Sequence, residues 1–186
     1  MISAILLAAG QSKRFGNNNK LITKYKNKNL IQYCLTHIIN SNIDNVIVVL
    51  GHDQDLIKKK INKSKKIKLV INKKFRSGMA SSIKLGLKKI NIKTKGFFVC
   101  LGDMPKVNKN IYNRIIKRFN KHNQIIVPYF YNKRGNPVIF PIKYKKKFFK
   151  LKGDNGAKKF IKNNCQKIIF KNNAVVFDID YKKDLK

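Results

Sequence analysis

The residues best placed to do chemistry are the acids, because this chain has so few. Eight acidic residues stand against 43 Lys and Arg, for a net charge of +35, and all eight are Asp. On a chain so depleted, the carboxylates that remain are stronger candidates for chemistry than Asp ordinarily is. Asp103 follows the apolar run Gly96 to Leu101, in the turn Gly102-Asp103-Met104-Pro105, where proline stiffens the backbone. An Asp held there suits Mg²⁺, which takes one or two carboxylates together with phosphate oxygens and water. The plainer alternative is a cap for the following helix, although such a cap belongs nearer Asn108. Asp178 and Asp180 would face the same way on an extended segment, and one of them would supply a second carboxylate. Helix capping is an equal alternative for Asp180.

The second chemical feature is the loop after the first apolar run. Leu7-Ala8-Ala9-Gly10 ends that run in small residues, which lets the backbone approach a ligand closely. Exposed N–H groups in such a turn form an anion-binding concavity. Arg14 offers a fork of donors suited to phosphate, and Lys20 a point charge. The loop is neither the GxGxxG of dinucleotide sites nor the GxxxxGK[ST] of P-loops. By its own chemistry it reads as a phosphate cradle only slightly ahead of an ordinary strand-to-helix turn with solvated basic residues.

The elements that must position these residues alternate. Buried strands are expected at Ile2 to Leu7, Asn45 to Leu50, Lys68 to Ile71, Gly96 to Leu101, Ile125 to Tyr131, Asn136 to Phe140, Lys167 to Phe170 and Ala174 to Asp178. Helices are expected at Leu30 to Asn40, Gln54 to Ile61, Ser81 to Lys89, Asn108 to Phe119, Lys143 to Phe149 and Asn155 to Lys162, with a last helical turn after Asp180. Strands alternating with helices imply an α/β fold, a Rossmann-like three-layer sandwich around a mostly parallel sheet. Ligands bind such sheets beyond the carboxyl ends of the strands, where the loops after Leu7 and Leu101 both lie. The length of 186 residues fits one domain spanning 1–186.

Composition narrows the rest. No stretch approaches the roughly 20 apolar residues of a membrane span. The apolar start has no basic segment before it and runs into a glycine loop, so it reads as a first strand in a cytoplasmic protein, not as a signal peptide. Cys34, Cys100 and Cys165 form no CxxC pair and read as reduced thiols. The charge invites a nucleic-acid reading. Against it, the basic residues are nearly all Lys and are spread along the whole chain, as a biased codon usage would also produce.

In sequence order, six segments resemble the MobA-like nucleotidyltransferases. Leu7 to Lys20 is similar to their LxAGxSxRMG…K signature, and Gly102-Asp103-Met104-Pro105 to their metal-binding GDMP. Asn72 through Gly78 to Ser82 resembles the segment beside the base. Gly135-Asn136-Pro137-Val138-Ile139-Phe140 resembles the acceptor-side GxPVxF. Gly153-Asp154-Asn155-Gly156-Ala157 is similar to GDxGAR, and Asp178 to Leu185 to a closing DxDTPEDL. Within that family Ala9 and the later motifs point to the molybdenum cofactor cytidylyltransferase branch, since the guanylyltransferase branch has LAGG where this chain has Leu7-Ala8-Ala9-Gly10.

The resemblance implies CTP and a molybdopterin-type acceptor as substrates, Mg²⁺ as cofactor, and a molybdoenzyme or its chaperone as partner. It implies that Leu7, Ala8, Ala9, Gly10, Arg14, Lys20, Asn72, Gly78 and Ser82 hold the nucleotide. It further implies that Gly135, Asn136, Pro137, Asp154 and Gly156 face the acceptor, and that Asp103 and Asp180 hold the metal. Arg14, Lys20 and Asp103 are the residues expected to carry catalysis. His37, His52 and His122 fall outside every motif. The chain departs from the family at Phe15 for Met, Lys158 for Arg, Asn136 for the frequent His, and Tyr181-Lys182-Lys183 for Thr-Pro-Glu. Lys for Arg is not conservative at a site that grips phosphate with two parallel hydrogen bonds.

Overall fold

A computed structural model describes residues 1–16, 18–154, 156–161 and 165–185. Its order begins with strand β1 (Ile2–Ala8), a two-residue hairpin of β2 (Lys24–Tyr25) and β3 (Lys28–Asn29), and helix α1 (Leu30–Ile39). Next come β4 (Asn45–Leu50), α2 (Gln54–Lys59), β5 (Ile67–Ile71), α3 (Met79–Lys89) and β6 (Gly96–Leu101). The second half contains α4 (Lys109–His122), β7 (Ile125–Phe130), β8 (Lys133–Arg134), β9 (Val138–Pro141), α5 (Lys145–Phe148) and β10 (Cys165–Ile169).

One eight-stranded sheet runs in the order β10-β7-β9-β6-β1-β4-β5, with β8 paired to β7. The strands β6, β1, β4 and β5 are parallel to one another, and β10 is parallel to β7. Against them run β9, between β6 and β7, and the two-residue β8, which pairs with β7. Side chains of a strand alternate between faces, and here the alternation fills two cores. Ala4, Leu6, Val46, Val48, Phe98 and Cys100 face a core closed by Leu30, Cys34 and Ile38 of α1 and Ile111, Ile115 and Phe119 of α4. Ile5, Ile47, Val49, Phe97 and Val99 face the other, closed by Ile83 and Leu87 of α3 and Phe148 of α5. There the rings of Phe97, Phe140 and Phe148 pack with centroids 5.0–5.7 Å apart. The resulting three-layer α/β sandwich around a mostly parallel sheet is the architecture expected from the alternation.

Three local expectations need correction. Ala174 to Asp178 is not a strand: Asn173–Val175 forms a 3-10 turn, started by the Asn172 side chain accepting from the Ala174 N–H, and 177–180 is irregular. The buried Val175 carbonyl accepts from the Asn136 N–H, so this segment packs beside the sheet instead of entering it. The helix expected at Asn155 to Lys162 is, among the described residues, only the 3-10 turn Ala157–Phe160; Asn155 and Lys162 themselves lie outside them. The β2–β3 hairpin was hidden because its two-residue strands are too short to show a period.

The cysteines stay unpaired. Cys34 and Cys100 are buried, and burial pushes the Cys100 thiol up to about 12, so both stay protonated packing groups. No described helix is long and apolar enough to cross a membrane.

Candidate active site

The candidate site forms where the carboxyl ends of β1 and β6 meet the C-terminal segment. The two central strands run in parallel register, Leu7 beside Leu101, so their following loops emerge side by side. The Gly102 N–H donates to the Leu7 carbonyl, and the Ile179 N–H donates to the Asp103 carbonyl. That second bond fastens Asp178 and Asp180 to the turn carrying Asp103. Carboxylate oxygens of Asp103, Asp178 and Asp180 lie within 4.8 Å of one another. Asn108, not Asp103, caps α4, its side chain accepting from the N–H groups of Asn110 and Ile111. Asp103 is therefore free for another role.

Opposing cations come from the first loop. The Lys20 ammonium lies 2.6 Å from Asp103 Oδ2 and 3.0 Å from Asp180 Oδ1. Arg14 Nη1 lies 2.8 Å from Asp180 Oδ2, with its side chain still 66% exposed. Lys20 is held in place by a short 3-10 turn, Lys20–Ile22, capped by Asn19, and by a hydrogen bond from its own N–H to Ser12 Oγ. Phe15 anchors the loop from below as a buried residue, so this apolar replacement of Met keeps its packing role.

The electrostatics are those of a cation site filled by a side chain. Burial by itself lowers the pKa of Lys20; Asp103 and Asp180 outweigh it and hold the group above the ordinary lysine value. Asp178, the most exposed of the three acids, is raised first by partial loss of water and then by repulsion from Asp103 and Asp180. Asp184 is held below the usual carboxylate range by the N–H groups of Tyr181 and Asp180, which both donate to its Oδ2. It thereby fixes the backbone that presents Asp180. Asp103 Oδ1 is buried with no hydrogen-bond partner among the described residues. An orphaned carboxylate oxygen beside two further carboxylates, at a strand end, fits a hard divalent cation.

The remaining residues divide into two groups. On one side, Ala9 is buried with its methyl against the Gly51 backbone, and its carbonyl accepts from the His52 N–H. Asn72 is buried and donates to both Ser81 Oγ and Ser82 Oγ. Gly78 starts α3 with φ +97°, and a Cβ there would lie 2.3 Å from the Gly153 carbonyl carbon. Asp154 Oδ1 accepts from the Met79 N–H, and Gly156 lies against the Met79 sulfur. Asp154 and Gly156 therefore cover the start of α3, and among the described residues no hydrogen bond joins them to 135–137. On the other side, the Gly135 N–H donates to the Pro128 carbonyl, and a Cβ on Gly135 would lie 2.3 Å from the Val175 carbonyl oxygen. Asn136 precedes Pro137 through a cis bond.

Sequence reasoning weighed Asp178 and Asp180 as alternatives for one second carboxylate, where the structure brings both to Asp103, and it left Asp184 out of the site. The i, i+2 spacing of Asp178 and Asp180 was the available signal for the pair. His52 also comes closer to the site than its isolation in sequence indicated, beside Ala9 and with its ring centroid 6.0 Å from that of Phe75.

A parallel sheet with a glycine loop, a cation pair and an acid cluster at its carboxyl edge defines a nucleotide-handling α/β protein. The chain belongs to the family of the MobA-like NTP transferase domain, whose model matches residues 4–168. It is 27% identical over 128 residues to the probable molybdenum cofactor guanylyltransferase of Methanosarcina acetivorans, covering 65% of this chain and 54% of that protein. The chain thus spans about half the length of that relative. Among solved structures, Rv0371c of Mycobacterium tuberculosis H37Rv superposes with a TM-score of 0.85 at 21% identity, covering 98% of this chain and 94% of that one. The same mycobacterial protein in complex with manganese matches with a TM-score of 0.76 at 20% identity, covering 91% of this chain and 88% of that chain. These likenesses establish the fold of nucleotidyltransferases.

Proposed function

We propose that the protein transfers CMP from CTP to a molybdopterin-type acceptor, releasing pyrophosphate. The observation that carries the transferase reading is the convergence of Arg14 and Lys20 with Asp103, Asp178 and Asp180 at one strand edge. The acceptor's phosphate oxygen attacks the α-phosphorus of CTP, a new P–O bond forms, and the bond to the pyrophosphate oxygen breaks. The attacking acceptor phosphate is already ionised, so the protein needs neither a nucleophile nor a base. Its work is positioning and charge neutralisation. Amides of the Ala9-Gly10 turn, with Arg14 and Lys20, would hold the β- and γ-phosphates. To do so the two cations exchange their carboxylate partners for phosphate oxygens. Asp103 and Asp180, with Asp178 beside them, would hold Mg²⁺, which when bound draws charge from the phosphate oxygens. Asn72, Gly78 and Ser82 border the base, while Gly135, Asn136 and Pro137 face the acceptor.

Ala9 supports CTP through the resemblance alone: the guanylyltransferase branch has LAGG where this chain has Leu7-Ala8-Ala9-Gly10. The likeness to a probable guanylyltransferase of Methanosarcina acetivorans favours a second reading, with GTP as donor. Pyrophosphate release from purified protein with Mg²⁺ and Mo-molybdopterin separates the two. CTP should support release, and GTP and ATP little; comparable release with GTP would remove the cytidylyl assignment.

A further inference from the structure

A third loop, Gly51-His52-Asp53, stands at the carboxyl edge of the sheet after β4, outside every segment that resembles the family. Strands β1 and β4 are parallel and end together, Ala8 beside Leu50, so this loop emerges next to the one running from Ala9 to Lys20. We infer that it clamps that phosphate loop at both ends, with Asp53 as a positioning residue for the triphosphate. The inference rests on the phosphate role proposed above for Arg14, Lys20 and the Ala9-Gly10 turn.

The first end is held by backbone. The His52 N–H donates to the Ala9 carbonyl at 3.3 Å. Gly51 lets the two loops touch, since a Cβ there would lie 2.8 Å from that of Ala9. The second end is held by side chains. Asp53 Oδ2 accepts from Asn19 Nδ2 at 3.2 Å. Asn19 is buried, and its Oδ1 accepts from the Leu21 N–H at the start of the 3-10 turn Lys20–Ile22. Asp53 thus fixes the side chain that fixes the turn carrying Lys20.

Asp53 is one of the eight acids of the chain, and it is not spent on the ordinary task of its position. It stands directly before α2, where Asp is a favoured cap. Among the described residues its side chain makes no capping bond. Its backbone is left-handed, with φ +51°, a conformation that costs any residue with a side chain. There the carboxylate meets Asn19 and lies 3.4 Å from His52 Nε2. Helix α2 gives the clamp a firm base: the Ile57 N–H donates to the Asp53 carbonyl, and Ile57 is fully buried. A loop fixed at both ends before its ligand arrives loses less freedom on binding, which raises affinity.

The Mg²⁺ complex of inorganic tripolyphosphate tests this, because it presents the anion without base or sugar. Its binding is followed by titration calorimetry well below the unfolding temperature. Asp53→Ala removes a negative charge, which by itself would strengthen anion binding. Binding weakened about tenfold would therefore report lost positioning. Asp53→Asn keeps an oxygen that accepts from Asn19 and should stay within about twofold of wild type. Asn19→Asp sets two carboxylates against each other and should weaken binding about tenfold. Adding Asp53→Asn to it restores the contact with donor and acceptor exchanged, at the wild-type net charge. That pair should recover to within about threefold of wild type. Asp53→Ala binding as tightly as wild type, or more tightly, overturns the clamp, and so does a pair no better than Asn19→Asp alone. Wild type that does not bind the tripolyphosphate overturns the phosphate role of the first loop, and the clamp with it.

Discussion

The two sides of this sheet, which we propose take the nucleotide and the acceptor, are built differently. Around β1, β4, β5 and α3 the site is made of backbone: the Ala9 carbonyl, the Gly78 turn and the start of α3, locked by buried Asn72 and by close contacts a single methyl would break. Around β7, β8 and the segment after β10 the surface is made of side chains, exposed Tyr131 and Lys133 and half-buried Phe177, on a hairpin and an irregular stretch. The contrast follows from what each ligand offers. A triphosphate is the same anion in every nucleotide, and main-chain N–H groups joined by two cationic side chains would hold any of them. An acceptor is recognised by shape and ring chemistry, which only side chains supply. Arg14 and Lys20 reach across from the first side to Asp180 on the second, so ion pairs join the halves where the reaction would occur.

Substitutions at that junction should have the largest effect. Asp103→Asn keeps the shape but removes the charge, and turnover should fall by about a thousandfold. Near-normal pyrophosphate release would remove Asp103 from the site. Next come the paired glycines. Gly78→Ala adds positive-φ strain to a clash with the Gly153 backbone, whereas Gly135→Ala meets the carbonyl group and Cβ of Val175 without that strain. Urea unfolding should register a loss of about 3 kcal/mol for the first and about 2 kcal/mol for the second. The opposite order would break the claim that the nucleotide side is the more tightly closed.

Lys20→Met should sharpen the picture of the junction. Without its ammonium the three carboxylates lose their counter-charge, so Mn²⁺ followed by electron paramagnetic resonance should bind the nucleotide-free protein about tenfold more tightly. Weaker binding would show that Lys20 supports the cation and does not stand in for it. The pH dependence of that binding has a definite sign. Asp178 is raised, so it takes up its proton at a higher pH than an ordinary Asp. Metal needs the ionised form. Affinity should therefore fall on acidification earlier than an unperturbed carboxylate would allow, and Asp178→Asn should flatten that limb. The smallest effect is expected at Asp154→Ala, which removes the partner of the Met79 N–H at the start of α3 and should cost about 0.5–1 kcal/mol in thermal unfolding.

How much was legible in the sequence follows the same division. The apolar runs of β1, β4 and β6 are buried on both faces, so their positions could be read directly, and with them the loops ending at Gly10 and Asp103. Asp180 was singled out through the resemblance to the closing motif; by spacing alone it stood level with Asp178 and with helix capping. The path of Ala174 to Asp178 was not legible, because its apolar residues pack against a sheet edge and Asn172 turns the chain locally. Nor could the sequence tell that Asp154 caps α3, since that contact joins residues 75 positions apart. The surface beside Tyr131 had no periodic signal, being assembled from a hairpin turn and an irregular tail.

The central claim is that nucleotidyl transfer occurs at the meeting of Lys20, Asp103 and Asp180. It is tested most directly by incubating the protein with Mg²⁺, Mo-molybdopterin and CTP labelled at the α-phosphate, and following the label. The account predicts that wild type moves the label into a molybdopterin dinucleotide and that Asp103→Asn and Asp180→Asn, still folded, do not. Label transferred equally by wild type and both variants would contradict it.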